Sequence, residues 1–127
     1  MGRVGVTCAL LVATCCLSTS LAATGPMDVY AQEAANRVGL LEHCQALGFA
    51  RAGDVENARK ILMNRPAMPP DAILRAAEGD GKKGKLLAAG QYMSLEQLAD
   101  RSHMTVGQIC DGFVENASVA AGMIDHP

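Results

Sequence analysis

Beyond residue 27 the apolar positions recur with helical spacing. Tyr30, Ala34, Val38, Leu41 and Cys44 follow one another at intervals of three and four, Leu40 and Leu47 widen the stripe, and Gln32, Glu33, Arg37 and Glu42 take the polar side. This is one face of a helix over Asp28 to about Gly48. Arg51-Ala52-Gly53-Asp54 breaks the pattern and restarts it, with Asp54 placed to cap a second helix to about Asn64 through Val55, Ala58, Ile61 and Leu62. Pro66, Pro69 and Pro70 make the next connection extended, since each proline restricts the residue before it. Pro69 or Pro70 then opens a short helix over Asp71 to Glu78.

Gly79 to Lys85 reads as a loop, and Leu86 to Gln91 as a short helical piece. The last two helices have the clearest starts. Ser94-Leu95-Glu96-Gln97 is a capping box with Met93 and Leu98 as a hydrophobic staple, and Thr105-Val106-Gly107-Gln108 repeats it with Met104 and Ile109. The final helix carries Val106, Cys110, Phe113, Ala117, Ala120 or Ala121, and Ile124 on one face. No segment reads as a strand. The expected fold class is all-α, a small bundle of four to six helices.

The first residues change the picture by suggesting a compartment. Met1-Gly2-Arg3 supplies one positive charge, an uncharged apolar run of fourteen residues extends from Val4 to Leu17, and Ser18 to Ala23 ends it in small residues. That order is the layout of a secretory signal peptide, with Ser20 and Ala22 at the positions that precede cleavage. The run is shorter than the roughly 20 residues a bilayer core requires, and a lipidated Cys15 would want a smaller neighbour than Thr14. The expected organisation is therefore a cleaved leader over residues 1–23 and a single helical domain over 24–127, periplasmic or secreted, without stable membrane insertion after cleavage. With Arg3 gone, 10 basic residues face 13 acidic ones. A mildly acidic chain of this kind has no general field for nucleic acid or anionic lipid.

Composition also limits the core. The chain has two Tyr, two Phe and no Trp, so Ala, Leu, Val, Ile and Met must fill the interior. A domain this short buries only about 60–65% of its unfolded surface and profits from a staple. Cys8, Cys15 and Cys16 fall in the expected leader, which leaves Cys44 and Cys110. An even pair in an exported chain reads as a disulfide. Both residues lie on the apolar stripes of the first and last long helices, so the bridge is expected to join those helices through the core.

The stretch from Ser94 to Ile109, with Leu98-Ala99 in a first helix, Met104 after a turn and Ile109 in a second, resembles the helix-turn-helix of bacterial DNA-binding regulators. The resemblance spans about 20 residues and implies a second helix that enters the major groove, with Thr105, Gln108 and Asp111 facing bases. The chain departs from the pattern at the turn, where His103 stands in place of the usual glycine. No Arg or Lys follows Arg101, although phosphate contacts supply most non-specific affinity. The expected partners therefore exclude nucleic acid.

Candidate chemistry is sparse. His43, Cys44, His103 and Cys110 have the right donor types for zinc, but adjacent helical residues point about 100° apart. An oxidising compartment also favours the bridge over thiolate ligands, so no metal or cofactor is expected. Gly79-x-Gly81-x-x-Gly84 lacks the preceding strand of a phosphate loop. Glu33 with Arg37, and Glu56 with Lys60, have the spacing of helix-surface pairs. Asn116-Ala117-Ser118 spells a glycosylation sequon inside a helix, which reads as coincidence. No serine or thiol is set for nucleophilic catalysis, and no enzyme activity is expected.

The leading expectation is an exported, non-catalytic protein that acts through contacts with another protein, in the manner of a chaperone, an inhibitor or an immunity protein. Its contact candidates are Met63, Arg65 and Met68 in the proline-rich connection, and Lys82, Lys83 and Lys85 in the glycine-rich one. The alternative from another class is a carrier of a small apolar ligand held between helices. A DNA-binding helix-turn-helix protein stands behind both.

Overall fold

The computed structural model describes residues 26–127; the expected leader, residues 1–23, lies outside the described residues. Five helices and a hairpin follow in order: α1 Pro26–Ala46, α2 Ala52–Met63, α3 Asp71–Lys82, β1 Lys85–Ala88, β2 Gln91–Ser94, α4 Leu95–Ser102 and α5 Val106–Asp125. The fold is mostly helical, as the periodicity implies, but it is not purely all-α. Among the described residues no helix is long and apolar enough to cross a membrane.

The helix starts follow local chemistry, with one correction. Both expected capping boxes form: Ser94 Oγ accepts the Gln97 N–H at 3.1 Å while Gln97 Oε1 accepts the Ser94 N–H at 3.0 Å. Thr105 and Gln108 do the same at 3.1 and 2.9 Å. Asp54, expected as a cap, instead sits in the first turn. The helix begins at Ala52, and the Asp54 carboxylate accepts the Arg51 N–H at 2.7 Å, the second half of a capping-box arrangement.

The core lies in two connected parts. One packs Ala31, Ala35, Val38 and Leu41 of α1 against Val55, Ala58 and Leu62 of α2, and Leu74 and Ala77 of α3. The other gathers Leu40 and Cys44 of α1 with Leu86, Leu95, Ala99, Ile109 and Cys110. Phe113 packs against both. Cys44 and Cys110 are fully buried at disulfide distance, with Cα atoms 5.8 Å apart, so α1 and α5 are tied as the stripes imply.

The α1–α3 crossing explains why the expected glycine loop is helical as far as Lys82. A Cβ built on Gly39 would stand 1.9 Å from the Glu78 carbonyl oxygen, and one on Gly81 would stand 2.2 Å from the Asn36 carbonyl oxygen. The two helices meet backbone to backbone, and only glycine leaves room. The local cost of glycine in a helix, about 1 kcal/mol per residue, is offset by this packing.

Asn36 sits beside that crossing and is the one buried polar residue among the described residues. Its Nδ2 donates to the Ala77 carbonyl at 3.1 Å and to the Lys85 carbonyl at 2.8 Å, while its Oδ1 accepts the Leu87 N–H at 2.8 Å. One side chain thereby satisfies the edge of β1 as a neighbouring strand would. This arrangement corrects the expected helical piece at Leu86–Gln91. The segment is an antiparallel hairpin pairing Leu86 with Met93 and Leu87 with Tyr92. Its two-residue turn, Ala89-Gly90, has positive φ at both positions (51° and 74°), the requirement of a type I′ turn. Alternation then buries Leu86 and Leu87 on opposite faces of β1, which a surface hairpin does not ordinarily do.

Candidate functional site

Where α1, α2 and α5 diverge they leave a cleft of about 270 Å³. Tyr30, Glu33, Ala34, Arg37 and Leu41 line it from α1, a helical stripe at intervals of three and four. Ala58 and Ile61 of α2 face them, Arg65 follows just past the helix end, and Phe113, Asn116, Ala117 and Ala120 form the α5 wall. The cleft exists because all three walls carry alanine where larger side chains would close the gap. An aromatic-poor chain contributes two of its four rings here, Tyr30 and Phe113.

Arg37 is the chemically distinctive group. Its Cζ lies 4.7 Å from the centroid of the Phe113 ring, within cation–π range. Its Nη1 is buried and has no hydrogen-bond partner among the described residues. Burial lowers its pKa from the ordinary arginine value, and the negative charge of Glu33 acts in the opposite direction. A buried guanidinium with an unused donor costs about 1–3 kcal/mol, which an anionic acceptor would recover. Glu33 is held by another contact, since its Oε1 accepts the Ala89 N–H at 2.8 Å and so fastens the hairpin tip to α1.

Sequence reasoning assigned Arg37 and Glu33 to the solvated side of α1, as a surface pair. The correction has a simple source. Residues 30, 34, 37 and 41 share a stripe as well as residues 34, 38 and 41 do, and an arginine can lay its stem along apolar surface while hiding its head beside a ring. The other expected surface pair also forms differently: Lys60 pairs with Asp125, joining α2 to the end of α5.

The residues expected to touch a partner are not brought together. Arg65 is half-buried at the cleft, whereas Met63 at the end of α2 and Met68 in the following loop are 71% and 43% exposed. Lys82 lies in α3, where it pairs with Glu42 at 3.1 Å and Glu78 at 3.5 Å. Arg59 completes this network at 3.2 and 3.4 Å from the same two carboxylates. The Glu42 hydrogen bond and charge, assisted by Glu78, raise the pKa of Lys82. Lys83 and Lys85 are exposed at the end of α3 and on β1. Among the described residues no hydrogen bond or ion pair links the methionine segment to the lysines.

The residues with zinc-type donors take other roles. Cys44 and Cys110 pair with one another, and His43 Nδ1 lies 3.1 Å from the Lys82 carbonyl. Among the described residues no three His, Cys, Asp or Glu side chains are grouped to hold a metal ion. In the regulator-like segment, Thr105 and Gln108 are committed to capping α5, and Ile109 and Cys110 face the core. Comparison of the chain with protein-family models, curated proteins and solved structures gives no match.

Proposed function

We propose that this chain is an exported, non-catalytic binding protein that carries a small, largely apolar molecule in the cleft between α1, α2 and α5. The observation behind this reading is the alanine-walled opening lined by Tyr30 and Phe113, with a half-buried guanidinium beside it whose Nη1 has no partner among the described residues. Ligand sites combine this kind of apolar lining with a few placed polar groups. At about 30 Å³ per water, 270 Å³ corresponds to about nine waters, or a ligand of about ten heavy atoms. Export accords with the Cys44–Cys110 pair, since disulfides persist outside the cytosol.

Native mass spectrometry of the chain purified from an export compartment tests the reading. A carrier retains a small-molecule adduct, and filling the cleft by Ala120→Leu removes it. Protein of bare polypeptide mass, with or without the substitution, would count against it. A second reading, contact with another protein, draws on the exposed Met63 and Met68. It requires a partner whose binding is lost in the Met63→Ser, Met68→Ser double variant and retained in Ala120→Leu.

A further inference from the structure

We infer that the molecule held in this cleft is a monocarboxylate with an apolar body, its carboxylate received by Arg37 and Arg65. The inference rests on the carrier reading and adds the chemical class of the ligand. Three observations converge on it.

The charged residues of the cleft are Arg37, Arg65 and Glu33, a balance of +1. A monoanion neutralises that balance, whereas a dianion leaves an uncompensated negative charge beside Glu33 in a partly desolvated space. A cationic ligand would meet two guanidinium groups. The geometry of guanidinium also favours a planar carboxylate, which accepts two parallel N–H donors.

The buried Nη1 of Arg37 has no acceptor among the described residues, although Glu33 and Glu42 lie on its own helix. Glu33, one turn earlier, has an oxygen engaged by the Ala89 N–H, and Glu42 is held by Arg59 and Lys82. With these two carboxylates engaged elsewhere, the Arg37 guanidinium stands beside the cleft with an uncompensated positive charge. Arg65, half-buried just past α2, supplies a second cation at the cleft.

Apart from Asn116, the remaining lining consists of four alanines, Leu41, Ile61, Tyr30 and Phe113, so the rest of the ligand is largely apolar. With room for about ten heavy atoms, octanoate is a suitable probe.

Isothermal titration of the full oxidised chain with octanoate, octanol and octylammonium tests the assignment. Octanoate is expected to bind about 10- to 100-fold more tightly than octanol, the range for a charge-assisted hydrogen bond of about 1.5–3 kcal/mol, and octylammonium more weakly than either. Arg37→Gln is expected to weaken octanoate by at least tenfold and to leave octanol unchanged. Because Arg37 packs on Phe113, Arg65→Gln provides the same contrast at a position outside the helices. Equal binding of octanoate and octanol, or octanoate binding unaltered by either substitution, would overturn the carboxylate assignment while the carrier reading stands. Failure of all three probes to bind, together with an unliganded native mass, would remove both.

Discussion

Glycine-to-alanine substitutions in the helices should have opposite signs at positions only two residues apart. Alanine ordinarily stabilises a helix interior by about 1 kcal/mol relative to glycine. Gly79 follows that rule: a Cβ there meets nothing within 4 Å, so Gly79→Ala is expected to gain about 0.5–1 kcal/mol. Gly39 and Gly81 lie in the α1–α3 crossing, where the added carbon would stand 1.9 and 2.2 Å from backbone oxygen atoms. Ordinary contact begins near 3.4 Å, so α1 and α3 must separate by more than an ångström. Neither obstacle is a flexible side chain that can turn aside.

Overpacking of this kind costs about 1–3 kcal/mol, and the separation would also strain the Asn36 bonds beside the crossing. Gly39→Ala and Gly81→Ala are therefore each expected to lose about 2 kcal/mol net of the helix-propensity gain. For a domain of about 100 residues that is a fall of about 8 °C in Tm, against a rise of about 3 °C for Gly79→Ala. Thermal unfolding followed by circular dichroism reads all three. A rise in Tm for Gly39→Ala comparable to that of Gly79→Ala would refute the backbone-to-backbone crossing, and with it the account of why α3 continues through Gly81.

Asn36→Leu should destabilise by about 2–4 kcal/mol, because the Leu87 N–H and the Lys85 carbonyl lose their partner in the interior; urea unfolding measures the loss, and hydrogen exchange should show the Leu87 amide deprotected. Reducing Cys44–Cys110 reopens a loop closed across 66 residues. Chain entropy assigns that closure about 4 kcal/mol, so a denaturant midpoint unmoved by reductant would contradict the role of the bridge. The raised pKa of Lys82 means that its ion pairs support the fold fully below its ordinary value of 10.5 and cease to do so as pH rises through the higher, folded-state value. Tyr92, raised mainly by its partial burial and then by the neighbouring Asp80 carboxylate, acts in the same direction. Melting temperatures should fall on the alkaline side, and Lys82→Met should flatten part of that fall; an equally steep decline in the variant would remove Lys82 from the explanation.

Features set by neighbouring residues were legible in the chain. Apolar residues at intervals of three and four mark α1, α2 and α5, and the paired caps at Ser94–Gln97 and Thr105–Gln108 form as spelled. Both cysteines could be placed on inward-facing stripes for the same reason. The cleft was half-legible. Its alanines and Phe113 were recognised as core positions, but Arg37 was assigned to solvent because a charged residue's location depends on what packs over it. The lysines were grouped by proximity in sequence, whereas Lys82 belongs to a charge network contributed by three helices.

The amino-acid order by itself determined the helical character, the caps and the residues able to form the bridge, because each depends on contacts within about four residues or on a count of thiols. Tertiary structure decided the rest. Gly79-Asp80-Gly81 is helical because α1 presses its backbone against it. Leu86–Ala88 is a strand whose edge is satisfied by Asn36, an asparagine 49 and 51 residues away from the groups it binds. The cleft opens where alanines from three helices converge. Backbone polar groups must find partners wherever the chain is buried, and in this fold those partners come from distant segments that no local pattern records.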